Sequence, residues 1–344
     1  MRIEKLIREN IKNLVPYSSA RNEFKGQASV FLDANENPYN SSFNRYPDPL
    51  HKELRDVVSE VFYLNTEKIF IGNGSDEVID LLLRMCCRPS IDNIIICPPT
   101  YGMYEVSAHV NDVNVIKVPQ NADFTINIAA ISKALNANTK MIFICSPNNP
   151  TGNLVPIEII EYLLKTFNIF VVIDEAYIDF SEGGSSLSLI ENYDNLIIMR
   201  TLSKAWGIAG LRVGIALADE RVIKILYKIK LPYNVNIFSQ KKALEILKNK
   251  NKIIRLKRCI LNERKFVIKE LSKLTHIITH IYPSDANFIL VKTINAKNIY
   301  NFLKNRNIIV RDRSSNLHCE NCIRITIGTK KENRNLIDSL KEFF

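Results

Sequence analysis

The sequence predicts an α/β fold in which a mainly parallel sheet is covered by helices on both faces, followed by a smaller α+β lobe. Three observations predict it. Short, near-continuous apolar runs recur between residues 69 and 199, separated by segments with helical spacing, as expected of strands buried on both faces. Polar and glycine-bearing clusters follow the ends of those runs, where open α/β sheets gather their ligands. Beyond Asp219 the run pattern stops, and a long helical stretch leads to short strands and a closing helix.

Composition bounds the rest. At 344 residues, 46% hydrophobic and 24% charged, the chain can bury a large core, as one big domain with a smaller lobe or as two domains. No segment approaches the ~18 uninterrupted apolar residues that span a bilayer. The opening MRIEKLIREN places Ile3, Leu6, Ile7 and Ile11 at helical spacing among charges, which reads as an amphipathic helix and not a signal peptide. A cytoplasmic protein is expected, with no membrane partner. The net charge of +10 is spread along the chain, with mild enrichment from Lys241 to Lys273 at helical spacing; a solvated helix face accounts for it better than a nucleic-acid partner. Seven cysteines, mostly inside apolar runs, fit reduced, buried thiols. His318, Cys319 and Cys322 mimic half a zinc site, but no second ligand pair follows, so no metal is expected.

In chain order, Leu14-Val15-Pro16-Tyr17 reads as extended, and Ser29-Val30-Phe31-Leu32 as a short strand leading to the turn-rich loop Asp33–Pro38. Two prolines in RYPDP (45–49) precede a helix from about Leu50 to Phe62. The run Ile69-Phe70-Ile71 enters GNGSDE, whose glycines and Ser75 and Asp76 open the apolar helix from Val78 to Met85 with free N–H groups, an anion seat. Strands follow at 94–97, 113–118, 141–145, 169–173 and 196–199, with helices at 128–135 and 156–167. Tyr101, Asn149, Asp174 with Tyr177, and Ser203 with Lys204 follow four of these strand ends, so four polar loops point at one crevice. Residues 220–274 are largely helical, with a break at Pro232-Tyr233-Asn234. Strands at 288–291, 308–310 and 322–327, and helices at about 296–304 and 331–344, complete the smaller lobe. Alternation along the last strand puts Arg324 and Thr326 on one face, opposite Ile323, Ile325 and Ile327.

The stretch TLSKAWGIAGLRVG (201–214) carries the chemistry. Lys204 lies just past a strand end, and Ser203 and Arg212 can converge on one anion beside it. A phosphate cradle next to a reactive amine suits pyridoxal phosphate, whose aldehyde forms a Schiff base with a lysine.

With SPNNPTG, DEAY, TLSKAWGIAGLRVG and RITIG in this order, the sequence resembles the fold-type I pyridoxal-phosphate aminotransferases. LVPYSSAR, LDANENP, RYPDP, GNGSDEVID and PPTYGMY point to the histidinol-phosphate aminotransferases among them. The resemblance covers nearly the whole chain. It implies a large cofactor-binding domain of residues 30–245, and a small domain of residues 1–29 plus 246–344 with an N-terminal arm. It implies Lys204, Asp174 and Tyr177 as catalytic residues: the lysine joined to the cofactor and shuttling the proton, Asp174 on the pyridine nitrogen, and Tyr177 with Asn149 on the phenolic oxygen. Tyr101 would stack on the ring, and Ser75, Asp76, Ser203 and Arg212 would hold the phosphate. Tyr46 would reach the cofactor of a neighbouring subunit, implying a homodimer. Arg324 would clamp the substrate's carboxylate or phosphate, with Arg311, Tyr17 and Asn35 completing the substrate pocket. Where relatives often carry a further arginine after SSAR, Asn22 and Glu23 follow Arg21, a departure at the pocket rim.

The resemblance implies amino transfer between glutamate and imidazole acetol phosphate, in histidine biosynthesis. A threonine-phosphate decarboxylase or an aromatic aminotransferase shares the core motifs. A non-catalytic, cofactor-binding sensor is the reading of another class; a single helix and a short loop ahead of the core leave no room for a helix-turn-helix domain.

Overall fold

A computed structural model describes residues 3–17, 23, 26, 28–39 and 43–343 of the chain. Among these residues two sheets form. The larger has seven strands in the order β1-β7-β6-β5-β4-β2-β3: β1 (Ile69–Asn73), β2 (Asn93–Ile96), β3 (Asn114–Lys117), β4 (Thr139–Cys145), β5 (Phe170–Asp174), β6 (Leu196–Thr201) and β7 (Val213–Ala218). All neighbours pair in parallel except β7, which runs antiparallel to both β1 and β6.

Alternation explains why the strand sequences are apolar throughout. Ile142, Ile144, Val171, Ile173 and Ile198 face one hydrophobic cluster, while Met141, Phe143, Phe170, Val172 and Met199 face the other. Each face is covered by helices. The helices Lys52–Phe62, Ile157–Thr166 and Ile237–Leu247 bury residues in the first cluster, and Ser75–Cys86, Met103–Val110 and Glu220–Ile229 in the second.

The smaller sheet is antiparallel, in the order β10-β11-β9-β8: β8 (Ile278–Ile281), β9 (Phe288–Thr293), β10 (Arg311–Asp312) and β11 (Cys322–Thr326). Its Ile289, Val291, Ile323 and Ile325 pack on the helices Lys250–Leu271, Ala296–Asn305 and Lys330–Lys341. The last of these helices starts with a capping box, Thr329 with Glu332. The opposite face, with Leu290, Cys322 and Arg324, turns toward the large sheet, where Leu290 and Cys322 meet Phe124.

The structure departs from the sequence expectations in several respects; residues 308–310, for one, form no strand, and the strand of that region is β10 (Arg311–Asp312). The opening segment forms a 3-10 turn (Ile3–Leu6) and a single helical turn (Glu9–Lys12), and its Ile3, Leu6 and Ile7 are buried in the large-domain core, so it does not pack with residues 246–344 as expected. Ser29–Leu32 forms no strand, and Val30 and Leu32 stand 68% and 89% exposed. The strand β7 was not expected from the run pattern, although Val213–Ala218 is fully buried, because its glycine and alanines dilute the apolar signal.

Candidate functional site

The direction of β7 assembles the site. Being antiparallel, it begins where the parallel strands end, so Arg212, one residue before it, joins the polar loops after β1, β4, β5 and β6. Two glycines permit the approach. A Cβ on Gly214 would lie 2.2 Å from the carbonyl carbon of Gly74 and 2.3 Å from the nitrogen of Ser75, so the helix Ser75–Cys86 can start against β7 only if this residue lacks a side chain. Gly74, the helix N-cap at φ +79°, would place a Cβ 2.5 Å from the Arg212 guanidinium. No side chain caps that helix, leaving its first amides turned to the cavity.

Arg212 adopts the left-handed conformation, and its Nη2 donates to Asp76 Oδ2 at 2.9 Å. Tyr101 donates its hydroxyl to the other oxygen, Oδ1, at 3.1 Å, so the Asp76 carboxylate fixes both. The Oγ of Ser203 is buried and has no hydrogen-bond partner among the described residues. Such an atom, beside an arginine and a helix N-terminus, is a donor waiting for an anion.

Asp174 closes β5 and is buried. Its Oδ1 accepts from the backbone N–H of Ala176 at 3.1 Å and its Oδ2 from the hydroxyl of Tyr104 at 2.6 Å. Burial pushes the Asp174 carboxyl up to about 6, against the opposing pull of those two donors. Lys204 as a whole residue opens onto the cleft, yet its amine sits 5.5 Å from the centre of the Tyr177 ring. Desolvation first, and the charge of Arg324 second, lower its pKa, which favours the neutral amine. Asn149 donates to the Tyr177 hydroxyl at 3.4 Å and accepts from Nη1 of Arg324. Burial raises the pKa of the Tyr177 phenol, which keeps it protonated as a donor.

Nine of the residues singled out from the sequence therefore line one cavity of about 80 Å³: Ser75 and Asp76, Tyr101, Asn149, Asp174 and Tyr177, Ser203, Lys204 and Arg212. An adjoining cleft of about 500 Å³ shares Tyr101, Asn149, Tyr177 and Lys204 and adds Arg311 and Arg324. Tyr17 and Asn35, expected in the substrate pocket, line neither cavity and are exposed. Tyr46 also lies apart, stacked on Tyr233 at 4.4 Å in a separate depression. Arg21 and Asn22 fall outside the described residues.

Sequence reasoning missed two residues. Tyr104, on the helix Met103–Val110, meets the ring of Tyr101, which lies just before that helix, edge to face at 5.5 Å. Arg313 lines the cleft two residues after Arg311, the strand period that puts both on one face.

Comparison with known proteins accords with this geometry. Residues 19–340 match the family Aminotransferase class I and II. The histidinol-phosphate aminotransferase of Cytophaga hutchinsonii is 48% identical over 345 residues, covering 99% of each chain. The crystal structure of the histidinol-phosphate aminotransferase from Clostridium acetobutylicum superposes with a TM-score of 0.78 at 27% identity, covering 87% of this chain and 90% of that one. A histidinol-phosphate aminotransferase from Sinorhizobium meliloti, solved in complex with pyridoxal-5'-phosphate, shares the fold at a TM-score of 0.77 and 22% identity, covering 87% and 82% of the two chains. Alike in its strand-end loops, its lysine and its full-length similarity, the chain belongs to the class I and II aminotransferases, and among them to the histidinol-phosphate aminotransferases.

Proposed function

We propose that this protein moves an amino group between glutamate and imidazole acetol phosphate, giving histidinol phosphate and 2-oxoglutarate, with pyridoxal 5'-phosphate as cofactor. The observation that carries the reading is the placement of Lys204 between a buried carboxylate, Asp174, on one side and an arginine-lined cleft on the other.

The residues present fit the cofactor. The unpartnered Ser203 hydroxyl, Arg212 and the uncapped helix start at Ser75 and Asp76 suit its phosphate. A carboxylate as deeply buried as Asp174 needs a cationic partner, and a protonated ring nitrogen is one. Asn149 and Tyr177 offer hydrogen-bond donors for its phenolic oxygen, and the Tyr101 ring lies along the cavity wall. When bound, pyridoxal phosphate supplies an aldehyde for the amine and a ring that withdraws electrons from the substrate carbon.

The chain's own residues do the rest. Lys204 Nζ, whose pKa burial lowers, takes a proton from the substrate carbon and returns it, and a nearby base of suitable pKa contributes roughly 10²–10⁴-fold. Asp174, oriented by Tyr104 and Ala176, holds negative charge where positive charge must persist. Arg324, anchored by Asn149, forks onto an oxyanion of the substrate, carboxylate or phosphate, with Arg311 across the strand pair.

We further place the enzyme in the cytoplasm as a homodimer, with residues 30–245 as the cofactor-binding domain and 246–344 as the smaller one. Tyr46 would serve the neighbouring subunit's site. Supporting the dimer, Tyr46 stands half-exposed in a depression that it shares with Phe43 and Phe238, which are 48% and 57% exposed. No nucleic acid or membrane takes part. Steady-state turnover of histidinol phosphate with 2-oxoglutarate tests the reading, against carbon dioxide release from threonine phosphate. Decarboxylation without amino transfer would overturn it, as would binding of pyridoxal phosphate with no half-reaction.

A further inference from the structure

We infer that Arg313, which no sequence motif marks, is a specificity-determining residue that completes a three-arginine receptor for a phosphomonoester dianion on the substrate. The inference deepens the proposed function and rests on it.

The strand register sets up the receptor. In the β10–β11 pair Arg311 stands directly opposite Arg324, and Arg313 continues the strand by donating its backbone N–H to Cys322 at 2.8 Å. With a side-chain period of two, Arg311 and Arg313 share a face, and pairing puts Arg324 on the same one. Like charges directly across a strand pair are destabilising, so three guanidiniums on one face need a reason.

The cleft offers no internal one. Arg311, Arg313, Arg324 and Lys204 all line it, and among the described residues no aspartate or glutamate does. Among the described residues none of the three arginines forms an ion pair, whereas Arg200, the arginine most buried in the large domain, has both Glu175 and Asp179 at 2.8 Å. The Nε atoms of Arg313 and Arg324 are both buried without a hydrogen-bond partner. Burial first, then the charges of Arg324 and Arg311, push the Arg313 guanidinium down to about 10, a sign that it lacks a counter-ion.

The count of donors identifies the ligand class. A carboxylate has two oxygens, which a single forked arginine satisfies. A phosphomonoester has three terminal oxygens and a charge near −2 at neutral pH, and three guanidiniums match both. Arg313 thus separates a phosphorylated amine from its unphosphorylated form, while Arg324 alone suffices for a carboxylate.

The test uses the holoenzyme and its Arg313→Gln and Arg313→Lys variants. Two readouts serve: the ratio of kcat/KM for histidinol phosphate to that for histidinol, and calorimetric binding of inorganic phosphate. Losing a charged, desolvated hydrogen-bond donor corresponds to roughly a 10- to 100-fold change. Arg313→Gln is expected to lower the ratio by about that factor, mainly through KM for histidinol phosphate, and to weaken phosphate binding similarly. Arg313→Lys, which keeps the charge but not the fork, should recover part of each. A purely structural role would lower the melting temperature and turnover of both substrates together, leaving the ratio unchanged, and would overturn the inference. So would unaltered phosphate affinity. If the wild type turns over histidinol phosphate and the ratio does not move in Arg313→Gln, the inference falls and the proposed function stands. If the wild type does not use histidinol phosphate at all, the proposed function falls, and phosphate binding alone decides whether Arg313 receives a phosphate.

Discussion

In the cavity beneath Lys204 the chain supplies its own partners: Asp76 holds Arg212 at 2.9 Å and Tyr101 at 3.1 Å, and Tyr104 and Ala176 hold Asp174. On the facing side of the cleft, Arg311, Arg313 and Arg324 stand together with no carboxylate among the described residues that line it. The first region is organised before any ligand arrives. Its loops are fixed by the seven-stranded sheet and by glycines that let backbone meet backbone. The second region gathers charge that no described residue pairs with in an ion pair. Under the proposed function, the difference amounts to a division of labour: the large sheet carries the chemistry common to every substrate, and the small sheet reads which substrate has come.

Four substitutions break or sharpen that contrast. Lys204→Ala should lower kcat by about 10⁴-fold for every amino donor and remove the visible absorption of the bound cofactor. A loss confined to one donor would erase the distinction between the two regions. Gly214→Ala forces a Cβ to 2.2–2.5 Å from Gly74 and Ser75 and should cost about 3 kcal/mol of stability, read by denaturant unfolding, with cofactor affinity falling alongside. Unchanged stability would mean that the close approach is not needed. Arg324→Gln should raise KM by about 100-fold with little change in kcat, the reverse of the lysine variant. Equal losses in both parameters would place Arg324 in the chemistry rather than in recognition.

The smallest effect is expected at Tyr104. Its hydroxyl donates to Asp174, which favours the carboxylate, so Tyr104→Phe should raise that pKa further above about 6. Because the ionised form is the one that pairs with a protonated ring nitrogen, cofactor affinity of the apoenzyme should weaken as pH falls toward 6. In the variant that fall should begin at higher pH, with about a 10-fold weaker affinity at pH 6 that narrows by pH 8. Titration of apoenzyme fluorescence with pyridoxal phosphate across pH measures it. A pH-independent loss would reduce Tyr104 to a packing residue beside Phe143.

The legibility of the two regions in the sequence differs as well. The large sheet announced itself because runs such as residues 141–145 of β4 are apolar on both faces and each ends in a loop with polar cargo. Its site was readable because Ser203, Lys204 and Arg212 lie close in sequence, and Asp174 closes a strand. Tyr104 was not, since its partner lies 70 positions away and its hydroxyl looks like any other on an amphipathic helix. The small sheet was harder. Arg324 emerged from alternation along β11, but Arg313 depends on the register of a two-residue strand, β10, too short to show a pattern. Sequence position says nothing of which core receives Ile3, Leu6 and Ile7, and only the packing shows that they join the cluster of the large sheet.

The account depends most on where the cofactor is attached. Protein loaded with pyridoxal phosphate, reduced with borohydride, digested and mapped by mass spectrometry should carry the modification on the peptide containing Lys204. Modification of another lysine, or none at all, would contradict it.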